Sequence, residues 1–457
     1  MLETPHLIAI AMLVLVFGLV SRAVARGVIT APMVFALAGL GMANGVAWLG
    51  IGPFADYEGV ETIVHTLGEC TLIVLLFTDA ARIDIQALRR DGGLPARLLG
   101  LGMPLTILLG ALVAWLLFPE MGIWELALVA AVLAPTDAAL GQAVVTSDGV
   151  PPRIRQTLSV ESGLNDGIAV PLVVLFASMA SIGQPVESLG EDAAGHALTA
   201  GAGATFAAGQ ILLGPLAGVI IGFVGAKLVG ASMKRGWMDH DFQELSGVAL
   251  ALLAAFGAEM IGGNAFIAAF VGGLTFGNSS KRVCSCLYDF AEAEGTLLML
   301  LTFLFAGAAL APDALFGASW QMYVYAALSL TVIRMLPVGL SLVGVPASMS
   351  TKLFLGWFGP RGVASILFAI LLLEELPVPH ADEIFSIAMV TVMMSVVLHG
   401  ATAAPGVRWY ARRLEQQACA TAQKECTAMC YRTKKGGAGV PNPENGEGGD
   451  DDSDKLK

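Results

Sequence analysis

The 457-residue sequence is short of charge and of aromatic side chains: 14% of its residues are Asp, Glu, Lys or Arg and 7% are Phe, Trp or Tyr, whereas 56% are hydrophobic. With a mean hydropathy of +0.74, so little charge cannot clothe a water-soluble globule, and the chain reads as an all-α polytopic membrane protein. A formal charge of -12 and the lack of any nucleic-acid motif exclude nucleic acid as a partner. Six cysteines, at 70, 284, 286, 419, 426 and 430, form no Cys-x-x-Cys pair, which argues against a disulfide framework and weakens any metal or redox reading of the last five. No Lys or Arg precedes the first apolar run while Glu3 does, so that run reads as a first span and not as a secretory leader. No Gly-x-Ser-x-Gly nucleophile motif occurs, and Gly163-Leu164-Asn165 stands before Asp166 where an intramembrane aspartyl protease would carry Gly-x-Gly-Asp. The chain is therefore not expected to be an enzyme.

Apolar runs long enough for a hydrocarbon core of about 30 Å can be marked thirteen times, near 7–21, 28–49, 60–80, 97–117, 122–145, 155–180, 202–226, 242–258, 262–278, 295–311, 319–343, 352–373 and 383–403. Charge supplies an independent check on this count. Placing the N-terminus outside puts the ends and connections bearing Arg22, Arg82, Arg97, Arg155, Lys227, Lys234, Lys281 and Lys352, with the tail, on the cytoplasmic side, as the positive-inside rule requires. All but two of the 25 Lys and Arg fall there, the exceptions being Arg334 and Arg361 inside apolar runs. The opposite connections carry acids instead, among them Asp56, Glu58, Glu187, Asp313 and Asp382. The expected organisation is a membrane domain over 1–407 and a cytoplasmic tail over 408–457, largely disordered because its Gly-, Pro- and acid-rich end buries too little apolar surface.

Spans 5 and 12 each contain a break: Leu133-Ala134-Pro135-Thr136-Asp137 and Phe358-Gly359-Pro360-Arg361-Gly362. Proline removes a backbone donor and clashes with the preceding turn, so both helices are expected to unwind, which is tolerable at membrane depth only against protein or a cavity. Seven spans separate the breaks, the spacing of an inverted repeat, and interrupted segments at matching positions point to a transporter's midplane site. Asp137 at one break and Arg361 at the other are placed to offset exposed half-helix dipoles.

Span 6 carries Glu161-Ser162-Gly163-Leu164-Asn165-Asp166. A charge near the bilayer centre costs about 2.5–3.5 kcal/mol on insertion scales and is kept where it has a task. Ser162 and Asp166 are four residues apart on one helix face, and Glu161 and Asn165 form a second pair rotated by about 100°. Asp166 with Ser162 offers oxygen ligands to a monovalent cation, while Glu161 needs a countercharge from one of the two intramembrane arginines, Arg334 being favoured over Arg361. Proton and cation would then compete for the Asp166 carboxylate, and a site that must be occupied by one or the other to move exchanges them. His65 and His399 are candidate pH sensors, although an isolated histidine near a helix end more often packs through hydrogen bonds. Asp79 reads as a local cap or ion pair.

Pro135-Thr136-Asp137, the Glu161-to-Asp166 stretch, Arg334 and Gly359-Pro360-Arg361-Gly362, in that order, resemble the monovalent cation:proton antiporters of the NhaP and sodium/hydrogen-exchanger branch over roughly residues 7–403. The resemblance implies a homodimer of thirteen-helix subunits in the plasma membrane, with a dimerisation scaffold and a mobile core that crosses its two unwound helices. It makes Asp166 the ion- and proton-binding residue, with Thr136, Asp137, Ser162 and Asn165 around it, and Glu161, Arg334 and Arg361 as structural charge partners. It also raises Glu69 as a further acid near the cation. Asn165, where a second Asp would otherwise stand, implies electroneutral exchange of sodium or lithium for a proton, with potassium as the alternative ion and a cation channel as a more distant reading. The partners implied are cations, protons and membrane lipid, with no cofactor.

Overall fold

A computed structural model describes residues 4–24, 27–45, 60–83, 85, 93–137, 140–181, 200–279, 284–374 and 378–435. The acidic connections around Asp56 and Glu187, the tail beyond 435, and the side chains of His65, Cys284, Cys286, Cys419, Cys426 and Cys430 lie outside what is described.

Among the described residues the chain is helical throughout and falls into thirteen segments, one for each apolar run. They are α1 (Thr4–Val24), α2 (Ala31–Met42), α3 (Val60–Arg82), α4 (Gly93–Leu117), α5a (Ile123–Val132) with α5b (Gln142–Val145), and α6 (Pro152–Ala180). Next come α7 (Ala200–Lys234), α8 (His240–Glu259), α9 (Ala265–Ser279) and α10, which runs from Cys284–Phe305 through Ala306–Leu310 into Ala311–Phe316. The last are α11a (Trp320–Leu330) with α11b (Val332–Ser341), α12a (Met349–Trp357) with α12b (Val363–Glu374), and α13 (Ala381–Lys435). Eight of these are long and apolar enough to cross a membrane, and four shorter apolar helices accompany them among the described residues. Exposed Leu7, Leu15 and Leu19 on α1, Leu108 and Leu116 on α4, and Leu212 and Leu228 on α7 give the outer surface its apolar character.

The chain divides into two compact units, Met1–Tyr410 and Ala411–Lys457. Helix continues to Lys435, over the first part of the stretch expected as tail.

Helix contacts in the first unit rely on small residues, as membrane helices do when the hydrophobic effect no longer drives association. A Cβ at Gly273 or Gly277 of α9 would collide with the carbonyl oxygen of Phe77 or Ala81, so the last turns of α3 lie directly against α9. Asn278 clasps the same end: its Nδ2 donates to the Ile83 carbonyl oxygen at 2.8 Å and its Oδ1 accepts from the Ile85 N–H at 3.1 Å. At the start of α4, Arg97 donates to the Val343 carbonyl oxygen just beyond α11b at 2.8 Å, where a cation suits the unpaired carbonyls of a helix C-terminus.

The expected breaks in spans 5 and 12 are both present, and they cross. Span 11 holds a third interruption that no motif announced. Thr331, with φ -116 and ψ -91, separates α11a from α11b three residues before Arg334. Two single π-helical turns, Leu98–Gly102 in α4 and Ala306–Leu310 in α10, each end two residues before a proline, Pro104 and Pro312. Proline supplies no N–H to the preceding turn, and the helix widens there instead of breaking.

Candidate functional site

The two unwound segments meet main chain to main chain: the N–H of Asp137 donates to the Pro360 carbonyl oxygen at 2.8 Å. Around this bond each break is satisfied by the other helix. Arg361, fully buried, donates from Nη1 to the carbonyl oxygens of Ala134 and Pro135 at 2.5 and 2.9 Å, just past the C-terminal end of α5a. Asp137 accepts from the N–H of Val363, the first residue of α12b, at 3.1 Å through Oδ2, and from the Leu140 N–H at 3.4 Å through Oδ1. A base therefore faces carbonyls and an acid faces N–H groups, the arrangement in which charge and helix-end dipoles attract. Ser365 adds a bond from its hydroxyl to the Val132 carbonyl oxygen at 2.8 Å.

Gly362 makes the acid's position possible, because a Cβ there would overlap the Asp137 carboxylate. Gly359 does the same for Arg334, whose guanidinium occupies the space a side chain at 359 would need. In each of these helix ends, then, a glycine makes room for an ionisable side chain of another helix.

α6 is tied to the first break by two side chains. Ser162 Oγ donates to the Thr136 carbonyl oxygen at 2.5 Å, and Asn165 Nδ2 donates to the Thr136 hydroxyl at 2.7 Å. Thr136, Ser162 and Asn165 are all buried. Asp166 follows on the next residue, half-buried, and its Oδ1 and the Oδ1 of Asn165 are buried oxygens without a hydrogen-bond partner among the described residues. A buried acceptor left unsatisfied is costly and calls for an explanation. Two such oxygens on adjacent residues, beside Thr136, form a donor set that suits a hard monovalent cation or a proton.

The opposite pair on α6 separates as the helix geometry requires. Glu161 Oε1 accepts from Arg334 Nη2 at 2.5 Å, with both side chains 3% exposed. Arg334 thus spans from α11b to α6, and Arg361 serves the break instead of Glu161. Glu69 is half-buried on α3, next to Gly68, whose missing side chain makes room for Leu367 of α12b.

Several contacts at the site had no separate signal in the sequence. The N–H of Arg361 donates to Ser395 Oγ at 2.7 Å, Ser395 Oγ lies 3.1 Å from Nδ1 of His399, and Nε2 of His399 lies 2.9 Å from the Trp357 carbonyl oxygen. The carbonyl accepts only, so Nε2 carries a proton. His399 is 2% exposed and packs against the Trp357 ring, so both its nitrogens are engaged in holding the second break. At the far ends of α5a and α12b, Glu125 accepts from the Gly122 N–H at 2.6 Å and lies 3.0 Å from Nδ1 of His380. Hydrogen bonding to Glu125 raises the His380 pKa, burial opposes it, and the charges of Glu125, Glu383 and Glu120 add to the rise.

A family model described as "Sodium/hydrogen exchanger, transmembrane" matches residues 8–409. The chain belongs to that family. Curated relatives include a K(+)/H(+) antiporter NhaP of Alkalimonas amylolytica, 26% identical over 83% of this chain and 63% of the relative. A second is a Na(+)/H(+) antiporter NhaP of Pseudomonas aeruginosa, 29% identical over 84% of this chain and 90% of the relative. Among solved structures, the sodium proton antiporter MjNhaP1 of Methanocaldococcus jannaschii superposes with a TM-score of 0.68 at 19% identity, covering 87% of this chain and 98% of that one. At that identity the likeness is one of fold, and it agrees with the multi-pass helical membrane architecture described above.

Proposed function

We propose that this exchanger-family protein moves a monovalent cation, sodium or lithium first and potassium as the alternative, in exchange for protons, with Asp166 as the carboxylate for which the two ions compete. The observation that carries the reading is the pair of buried, unpartnered oxygens on Asn165 and Asp166 beside the crossing of the two unwound segments. An intramembrane acid with an open oxygen accepts either a proton or a cation, and alternating access then converts competition into exchange. Thr136, Ser162 and Asn165 bind the site to the first break, so that a shift of the crossing carries the carboxylate with it. Asp137 and Arg361 hold the crossing together, Glu161 and Arg334 fix α6 against α11b, and no cofactor is invoked.

Asn165, neutral at the position before Asp166, leaves one exchanging charge at the site and supports one-for-one, electroneutral exchange. The distribution of Lys and Arg supports an outside N-terminus and a cytoplasmic tail in the plasma membrane. The exposed apolar face of α1 fits a homodimer or lipid contact, within a membrane domain over 1–407. Relatives named for sodium and for potassium occur together, and oxygen ligands suit both.

The test is exchange by the unaltered protein in everted vesicles followed with a pH dye, using sodium, lithium and potassium with and without a valinomycin clamp. Sodium- or lithium-driven proton movement that the clamp leaves unchanged is the expected result. Cation flux with no linked proton movement overturns the reading in favour of a channel.

A further inference from the structure

In an uninterrupted α-helix the N–H of residue 361 would donate to the carbonyl of residue 357, four positions earlier. The break at Pro360 parts this pair in α12, and α13 takes up both halves. The Arg361 N–H donates to Ser395 Oγ at 2.7 Å, while Nε2 of His399 donates to the Trp357 carbonyl oxygen at 2.9 Å. That carbonyl also receives the Gly359 N–H at 2.9 Å, within the unwound turn itself. Ser395 and His399 are one turn apart on α13, and Nδ1 of His399 lies 3.1 Å from both the hydroxyl and the carbonyl oxygens of Ser395. Two joined side chains of one helix thus stand in for the hydrogen bond that another helix has lost.

The same face of α13 continues the contact. Thr402 Oγ1 accepts from Trp357 Nε1 at 3.0 Å, and a Cβ at Gly406 would overlap the Phe358 ring. Positions 395, 399, 402 and 406 follow the spacing of a single helix face. The end of α12a and its unwound segment therefore lie against a fixed stretch of α13. Ser395 and His399 are both buried, where water is not at hand to replace a lost backbone partner. Their hold reaches the site through the crossing. The Pro360 carbonyl accepts the Asp137 N–H, and Arg361 Nη1 donates to the carbonyls of Ala134 and Pro135. Thr136, which receives the bonds from Ser162 and Asn165, stands between those anchors.

We propose that Ser395 and His399 are positioning residues for exchange: by replacing the missing bond between residues 357 and 361 they fix the span of the second break and keep Pro360 and Arg361 in register with Thr136 during turnover. They act through the crossing and are not ligands of the ion, and the inference rests on the exchange reading above.

The test uses full-length protein in everted vesicles, after exchange by the unaltered protein has been established. His399→Leu lowers the maximal rate about tenfold, the order expected when a buried backbone group loses its partner. The apparent KM for sodium stays unchanged, because the oxygens of Thr136, Asn165 and Asp166 lie on the other break and on α6. His399→Gln keeps an amide N–H within reach of the Trp357 carbonyl and returns most of the rate. Ser395→Ala lowers the maximal rate in the same way and carries the test alone if His399→Leu does not assemble. Combined with His399→Leu, it adds little further loss, since both act on one junction. Wild-type rates in His399→Leu or Ser395→Ala overturn the proposal. So do a loss that His399→Gln does not repair, losses that multiply in the double variant, or a raised sodium KM at unchanged maximal rate. If the unaltered protein shows no exchange, the exchange reading itself fails and takes this inference with it.

Discussion

Asp137 and Val363 are joined by a 3.1 Å hydrogen bond from the Val363 N–H to the Asp137 carboxylate, across a gap kept open by the missing side chain of Gly362. An acid of one interrupted helix thereby caps the N-terminus of the other. The bond is charge-assisted and partly buried, and hydrogen bonds to a charged group contribute more than neutral ones.

Gly362→Ala tests this joint. The added methyl displaces the Asp137 carboxylate and costs the charged bond, about 1.5–3 kcal/mol, which corresponds to a loss of roughly ten- to a hundredfold in exchange rate if the crossing must be intact for turnover. Initial rates in vesicles, set against expression and monodispersity in detergent, check it. Wild-type rates in this variant would remove Asp137 from the working site.

Asp166→Asn keeps the shape of the side chain and removes its ability to exchange a proton for a cation. Exchange is expected to vanish while the protein stays folded, because the neighbouring bonds of Ser162 and Asn165 to Thr136 do not involve position 166. Normal sodium-driven dequenching in this variant would end the competition mechanism.

Glu161 and Arg334 answer to a different measurement. Removing one partner of a buried pair strands the other charge at a cost of about 3–5 kcal/mol. Glu161→Ala and Arg334→Ala are therefore each expected to lower the melting temperature in detergent strongly, and the double replacement by apolar residues to cost less than the two single effects added. Additive losses would show that the 2.5 Å contact carries no coupling.

The Glu125–His380 contact predicts a pH effect on stability. The His380 pKa is raised above its ordinary value of 6.5, chiefly by the hydrogen bond to Glu125. A group whose folded pKa is raised contributes its stabilisation fully below the unfolded value and loses it as pH rises through the folded one. The melting-temperature difference between wild type and His380→Gln is thus expected to be largest below the ordinary histidine value of 6.5 and to shrink as the pH rises above it, through the raised pKa of the folded state. With the histidine side chain 35% exposed, solvent screening keeps the effect small. A difference that grows toward alkaline pH would contradict the contact.

Periodicity, proline and charge made the thirteen helices, the two breaks and the separation of Glu161 from Asp166 legible, because each depends on neighbours within a few residues. What stayed hidden depends on other helices. Thr331 interrupts span 11 with no proline or glycine beside it. Ser395 lies in an unremarkable apolar run, and His399 stands out only as an isolated histidine that packs through hydrogen bonds, until the chain folds and brings them under the N–H of Arg361 and the carbonyl of Trp357. Charges that meet across a membrane core leave a trace in the sequence only as isolated exceptions to hydrophobicity.

The two π-helical turns of α4 and α10 have a consequence for comparing relatives. Each turn accommodates one more residue than an α-helical turn, so along Leu98–Gly102 and Ala306–Leu310 the residues that share a face shift from a spacing of four to a spacing of five. Beyond such a turn every side chain is rotated by about 100° from where an unbroken α-helix would place it. A relative with a plain α-helix in the same place matches this chain only with a one-residue gap inside the helix. An ungapped match would carry lipid-facing residues onto core positions for the rest of the span.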